Sequence, residues 1–445
     1  MAPDGEALLR FPEGFLWGSA TAAHQVEGQP AQSDWWTWEQ IPGKIRDGNT
    51  AERACEWWAG RYAQDLDLAQ SMGHNALRLS VDWARLEPQE GQWDQSAIER
   101  YREILRALRS RGIEPMVTLF HFVSPLWLAD KGGWTDEATI RRFEKFTERV
   151  VESLGDLVNL WCTINEPNVY ATYSYLLGIW PPEKHSFTTT FRVIRHQLVA
   201  HALAYRAIHR LQPEARVGLA QHLHLFDPWR PDSALDRAAA RAQDYLFNEL
   251  VLSAPADGIL RPPLAMNVKV PELVDSQDYV GLNYYSRDMV AFDLRQPGML
   301  FGRRFAMPGA EYSMDGWGEI YPEGLYRLLK RLERYGKPIY VTETGLPDND
   351  DSKRPRFLVT HLAAMHRAIA QGVPVKGLYF WSLVDNFEWK EGFAARFGLI
   401  ALDITTGQRT LTASGRLFGE IVRARGITEA MLHRYANELV EKTPA

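Results

Sequence analysis

The chain has 445 residues, 45% of them hydrophobic and 24% charged; this is long for one small domain, within reach of a single elaborated α/β barrel, and excludes a disordered or fibrous protein. Fifty basic side chains against 56 acidic ones leave a net charge of −6, a poor match for nucleic acid or an anionic membrane surface. Two cysteines, Cys55 and Cys162, make no disulfide framework, and no CxxC or Cys/His metal spacing exists.

The first residues show no charged segment followed by an apolar core, so no signal peptide is expected. The longest uncharged stretch, 167–182, falls short of the roughly 20 apolar residues that a bilayer requires. The expectation is a soluble, reduced, cytoplasmic protein. Sixteen Trp residues stand out. An indole needs a partner for its N–H, so these rings either fill the core or present flat faces to something such as a sugar.

Short β-rich runs alternate with helical segments along the chain. The runs cover 15–23, 76–83, 114–121, 160–166, 216–223, 278–285, 338–345 and 375–383. Between them, Ile98, Tyr101, Leu105 and Leu108 repeat at spacings of three and four, as do Ile140, Phe143, Phe146 and Val150, with Ser96 and Asp136 near the helix starts. Eight strands alternating with helices predict a single (β/α)8 barrel. A doubly wound sheet would need a Gly-rich phosphate loop after an early strand, and GSATAA after Trp17 is no GxGxxG. The stretches 167–190 and 286–320 are too long for simple barrel turns, and such loops usually build a site.

A parallel barrel carries its site at the C-terminal ends of its strands. Those ends hold Gln25 and Glu27 past the first run, Arg78 within the second, and His121 on the third. Asn165 and Glu166 end the fourth, Asn283 and Tyr285 the sixth, Glu343 the seventh and Trp381 the eighth. Pro167 supplies no N–H and stops the fourth strand, holding Glu166 at the rim. Gly345 permits a tight turn beyond Glu343. Strands four and seven lie roughly opposite, so the two carboxylates can face each other over the mouth. Two carboxylates flanking a bond suit glycoside hydrolysis, one as acid/base and one as nucleophile or base. The plainer alternative is that each Glu pairs with a nearby Arg.

Taken together, these residues resemble glycoside hydrolase family 1, the β-glucosidase family, over roughly 11–422. The N-terminal FPEGFLWGSATAAHQVEG (11–28), TINEPN (163–168), GLNYYS (281–286), DGW (315–317), PIYVTETG (338–345) and FWSLVDNFEW (380–389) follow in the family's order. The resemblance implies one barrel domain spanning 1–445 with short terminal extensions, no cofactor, no metal, and a retaining double displacement on a small β-glucoside or short oligosaccharide. It makes Glu166 the acid/base and Glu343 the nucleophile. Asn165 would bond the 2-hydroxyl, and Arg78 and Tyr285 would hold the nucleophile ionised and aimed. Gln25, His121, Glu388 and Trp389 would contact glycone hydroxyls, Trp381 would lie under the sugar, and Asn283 would support. A guanidinium and a phenol favour the ionised nucleophile, whose charge keeps the proton on the acid.

Three positions depart from the family pattern. Phe122 follows His121 where Trp is usual, removing one indole N–H from the glycone contacts. Thr344 replaces Asn beside the nucleophile, and Glu56-Trp57-Trp58 replaces Asp-His-Tyr. The leading reading is an exo-acting β-glucosidase that tolerates β-galactosides or β-fucosides and contributes to cellulose degradation. Transglycosylation through the same intermediate stays open. A 6-phospho-β-glycosidase is disfavoured because Glu388 would repel a phosphate. A silent sugar-binding protein would have lost Glu166 or Glu343, and an unrelated endo-acting barrel would show an open groove, whereas the 286–320 insertion and FWSLVDNFEW argue for a closed exo pocket. The sequence does not name the aglycone or the oligomeric state.

Overall fold

The computed structural model describes residues 6–314 and 317–440; Asp315 and Gly316 of the DGW motif lie outside the described residues. Eight parallel strands close a barrel: β1 (Leu16–Ala20), β2 (Ala76–Ser80), β3 (Glu114–Phe120), β4 (Leu160–Asn165), β5 (Arg216–His222), β6 (Tyr279–Asn283), β7 (Ile339–Thr344) and β8 (Val375–Trp381). Each pairs with its neighbours in chain order, and β8 pairs with β1 through Gly377↔Leu16. The strands read as nearly unbroken buried runs because barrel strands are covered on both faces.

The connecting helices are α1 (Tyr62–Ser71), α2 (Gln95–Ser110), α3 (Ala138–Leu154), α4 (Phe187–Leu211), α5 (Leu250–Asp257), α6 (Pro322–Leu332), α7 (Arg354–Ala370) and α8 (Ala413–Ala424). The predicted stripes are the buried faces: Ile98, Tyr101, Leu105 and Leu108 on α2, and Ile140, Phe143, Phe146 and Val150 on α3. The cap of α2 is Asp94 rather than Ser96; its carboxylate accepts the N–H groups of Ser96 and Ala97 at 2.8 and 3.1 Å. Asp136 does accept the Ala138 N–H at 3.0 Å at the start of α3.

The predicted runs overshoot where the chain turns into the site. β1 stops at Ala20, and Ala23–Val26 form a helical turn that carries Gln25. β6 stops at Asn283, and β8 at Trp381. Both long connections are structured. Pro167–Ala171 is helical and runs into a wide turn, Thr172–Leu176. In the second, Arg287–Phe292 pairs antiparallel with Gly302–Phe305 and parallel with Leu225–Pro228. Ala7–Arg10 pairs with Gly426–Thr428. Both cysteines are buried free thiols. No helix among the described residues is long and apolar enough to cross a membrane.

Candidate active site

A cavity of about 410 Å³ opens at the C-terminal ends of the strands. Of the eleven candidate residues, His121, Asn165, Glu166, Tyr285, Glu343, Trp381, Glu388 and Trp389 line it, while Gln25, Arg78 and Asn283 stand behind them.

Glu343 ends β7 and is almost fully buried. Arg78, reaching up from β2, donates from Nη1 to its Oε1 at 2.5 Å, and the Tyr285 hydroxyl donates to Oε2 at 2.7 Å. Arg78 is held on every side: Nε donates to Thr118 Oγ1 at 3.0 Å, Nη1 also to the Thr342 carbonyl at 3.3 Å, and Nη2 to Asn165 Oδ1 at 2.6 Å. Burial alone would make this guanidinium costly, and the fork geometry satisfies it. Gly345 follows because a side chain there would reach within 1.9 Å of the Trp381 carbonyl oxygen. The requirement is therefore close approach of β7 to β8, not the tight turn expected from sequence.

Glu166 sits just past β4 in the left-handed region at φ 44°, with Pro167 at the first position of the next helix. Its Oε1 accepts from Asn283 Nδ2 at 2.7 Å and lies 3.3 Å from His222 Nδ1. Asn283 is fixed in turn by Thr342, whose hydroxyl donates to Asn283 Oδ1 at 2.6 Å, and its Nδ2 also reaches Asn165 Oδ1 at 3.2 Å. One network thus runs from Glu343 through Arg78, Asn165 and Asn283 to Glu166. His222 is a member that the sequence reading missed. It ends β5, a position that the strand-end rule applied to the fifth run would have picked out.

The remaining wall is aromatic and polar. His121 shares a contact with Asn165 Nδ2 at 3.2 Å, and its Nδ1 is buried without a protein partner. Burial and then the Arg78 charge push its pKa well below the usual value, so the ring is neutral. With Nε2 accepting from Asn165, Nδ1 carries the hydrogen and is a spare donor. Gln25 donates from Nε2 to the Phe387 carbonyl at 2.9 Å and to Glu388 Oε2 at 3.2 Å, leaving its Oε1 a spare buried acceptor. Glu388 also accepts from Trp381 Nε1 at 3.2 Å. The Trp381 and Trp389 rings each lie near-parallel to His121, at 6.0 and 5.9 Å.

Electrostatics correct one expectation. Arg78 and Tyr285 do pull the Glu343 carboxyl down, but burial and then the nearby Glu166 charge oppose them, and the net direction is up. Burial likewise pushes Glu388 up to about 8, against the Trp381 and Gln25 hydrogen bonds. Burial and Glu343 push the Tyr285 phenol up, so it remains a donor. Several carboxyls share one poorly hydrated basin, and charge on one discourages charge on the next.

The departures have structural outcomes. Phe122, at φ 71°, packs between the Trp180 and Trp389 rings at 5.1 and 5.2 Å. Thr344 Oγ1 is buried with no partner, so it ties no loop. Trp57 donates to Asp65 at 2.7 Å, Trp58 lies under the Arg85 guanidinium at 4.1 Å, and Glu56 pairs with Arg53 and Arg61 at 3.2 Å. Phe122, Glu166 and Trp389 all adopt positive φ at the cavity wall, a conformation that costs about 1–3 kcal/mol each and gathers at functional sites. The tryptophans divide between both expected uses: Trp35, Trp57, Trp83, Trp134 and Trp161 are fully buried, while Trp180, Trp317, Trp381 and Trp389 line the cavity. No group of His, Cys, Asp or Glu among the described residues is arranged to hold a metal ion.

Residues 8–427 match the family profile described as Glycosyl hydrolase family 1. The chain is 33% identical to Beta-glucosidase A of Thermotoga maritima, over 95% of this chain and all of that protein. It is 32% identical to the Beta-galactosidase of Sulfolobus acidocaldarius, over 96% of this chain and 98% of that protein. Its fold is similar to the beta-glycosidase from Pyrococcus horikoshii with a TM-score of 0.89 at 39% identity, covering 96% of this chain and 98% of the other.

Proposed function

The chain belongs to glycosyl hydrolase family 1, and on that premise we propose that it hydrolyses terminal non-reducing β-D-glucosyl units with retention of configuration, tolerating galactosides and fucosides. The observation that carries this reading is the clamp of Arg78 and Tyr285 on Glu343 in the same cavity as Glu166. Glu343 attacks the anomeric carbon as Glu166 protonates the departing glycosidic oxygen. The bond to that oxygen breaks and a glycosyl ester forms. Glu166, now a carboxylate, takes a proton from water; the water oxygen attacks the anomeric carbon, and the ester bond breaks to restore Glu343. Arg78 and Tyr285 aim the nucleophile, and their hydrogen bonds stabilise the carboxylate as it leaves. Asn165 meets the 2-hydroxyl. His121 Nδ1, Gln25 Oε1 and Glu388 offer a donor and acceptors to the other hydroxyls, Trp389 adds an indole N–H, and Trp381 lies beneath the ring. Asn283 holds Glu166.

The chain acts as one catalytic domain, since the network joins strands from β2 to β7. Two buried free thiols support a reducing, cytoplasmic setting, and the reading fits a role late in cellulose degradation.

The test is Glu343→Ala. Turnover falls at least a hundredfold, because each tenfold step is only about 1.4 kcal/mol and a missing nucleophile removes several. Azide entering the vacated space restores activity and yields an α-glycosyl azide. Proton NMR of the first sugar released by the wild type shows the β anomer. More than about one percent residual activity, or an α product, overturns the assignment.

A further inference from the structure

The polarity of the network around Glu166 can be followed outward from Arg78. A guanidinium only donates, so the Asn165 atom 2.6 Å from Arg78 Nη2 is the amide oxygen. The Asn283 atom 3.2 Å from that oxygen is then Nδ2, and the same Nδ2 lies 2.7 Å from Glu166 Oε1. Oε1 is therefore an acceptor. His222 Nδ1 stands 3.3 Å from it and meets it favourably only as an N–H. Two donors converge on Oε1, while no hydrogen bond holds Oε2 among the described residues and Glu166 lines the cavity. The proton of the acid belongs on Oε2.

The His222 ring is fixed for this contact. It ends β5, and its plane lies near-parallel to the rings of Tyr285 and His224 at 5.7 and 6.2 Å. Phe247 meets it edge-on at 5.7 Å. Asn168 Nδ2 donates to the His222 carbonyl at 2.7 Å and to the Phe247 carbonyl at 2.9 Å, which ties the backbone where β5 leaves the barrel. The ring borders the cavity and is 16% exposed.

The bond from Nδ1–H to Oε1 joins neutral partners while Glu166 holds its proton. It becomes charge-assisted once that proton has gone to the leaving oxygen, and such bonds are roughly twice as strong. The gain comes as the carboxylate forms, so it favours the first displacement. In the second displacement the same bond makes Glu166 a weaker base toward water. One hydrogen bond thus acts in opposite directions on the two halves of the cycle.

We propose that His222 is a positioning residue for the acid/base: its Nδ1–H on Oε1 directs the catalytic proton to Oε2 and favours its departure. The inference rests on the retaining mechanism above and adds a residue to it.

The experiment compares His222→Leu, which puts a methyl group at the δ position, with His222→Asn, which keeps an N–H there. In His222→Leu, kcat/KM for methyl β-D-glucoside falls about tenfold, the worth of one such bond. An activated leaving group needs no proton, so kcat for 2,4-dinitrophenyl β-D-glucoside reads the second displacement and holds or rises. His222→Asn brings methyl glucoside back to within about threefold of wild type. A uniform loss on both substrates, equal losses in the two variants, or no loss in either overturns the proposal. If the wild type turns over no glycoside, the hydrolase reading fails separately. The nitrogen-15 spectrum of the imidazole rings, with His222 assigned by its absence from His222→Asn, then still decides: hydrogen on Nδ1 sustains the contact with Glu166, and a bare Nδ1 removes it.

Discussion

At the floor of the cavity each nitrogen of the Arg78 guanidinium has a partner on another strand, whereas at its mouth Leu177 and Phe187 stand partly in solvent on the one long connection 167–190. The floor is polar, dry and tied across β2, β3, β4, β6 and β7. The mouth is apolar, wet and held by hairpin and helix faces. The floor therefore fixes the position of reacting atoms within a fraction of an ångström, which positional catalysis demands. The mouth can vary without disturbing that geometry. Changes at the floor should alter chemistry, and changes toward the mouth should alter affinity.

The largest effect that sharpens this contrast, after loss of the nucleophile, is Glu166→Gln. Alkyl glucosides, which need a proton on the leaving oxygen, lose about 10²–10⁴-fold in rate, while dinitrophenyl glucosides keep their first step. Initial rates across a leaving-group series check this, and a uniform loss would make Glu166 a structural residue.

A smaller effect concerns stability. The Glu388 carboxyl is pushed by burial from 4.5 to about 8 in the folded protein. A raised pKa stabilises the fold fully below 4.5, and that contribution is lost as pH climbs through 8. Glu388→Gln removes the loss, so its unfolding free energy should exceed wild type by a margin that grows from pH 5 to pH 8, reaching roughly 1–3 kcal/mol. Other carboxyls that burial raises, such as Glu27 and Asp34, cancel in the difference. A margin flat in pH would show that Glu388 is hydrated.

The smallest effect lies between floor and mouth, at Phe122. Phe122→Trp places an indole N–H where the ring now packs between Trp180 and Trp389. Glucose inhibition should tighten by one hydrogen bond, about 0.5–1.5 kcal/mol, with a matching gain in selectivity for the glucoside over its 3-deoxy analogue. Ser124 does not line the cavity and supplies no substitute. Unchanged inhibition and selectivity would reduce Phe122 to packing.

The same contrast governs what could be read from the chain. All eight strands were legible because buried parallel strands are short apolar runs bounded by turns. The floor was legible because a barrel places chemistry at strand ends, so Glu166 before Pro167 and Glu343 before Gly345 announced themselves. His222 escaped because no residue from the end of the fifth run was considered. The mouth was not legible. Tyr173 and Leu300 lie where backbone direction depends on a wide turn and a positive φ, and residue spacing does not encode either. The direction of the Glu343 shift was also hidden, because it depends on how burial weighs against one guanidinium.

The network's distribution over the strands has a topological consequence. β1–β4 carry Arg78, His121, Asn165 and Glu166, while β5–β8 carry His222, Asn283, Glu343 and Trp381. A cut between α4 and β5 would put the two catalytic carboxyls on different polypeptides. Neither half could complete even one displacement, and the Arg78 that clamps Glu343 would belong to the other piece. Activity regained on mixing the halves would therefore report reassembly of the closed cylinder itself, with the substrate serving as a gauge of whether its two seams have met.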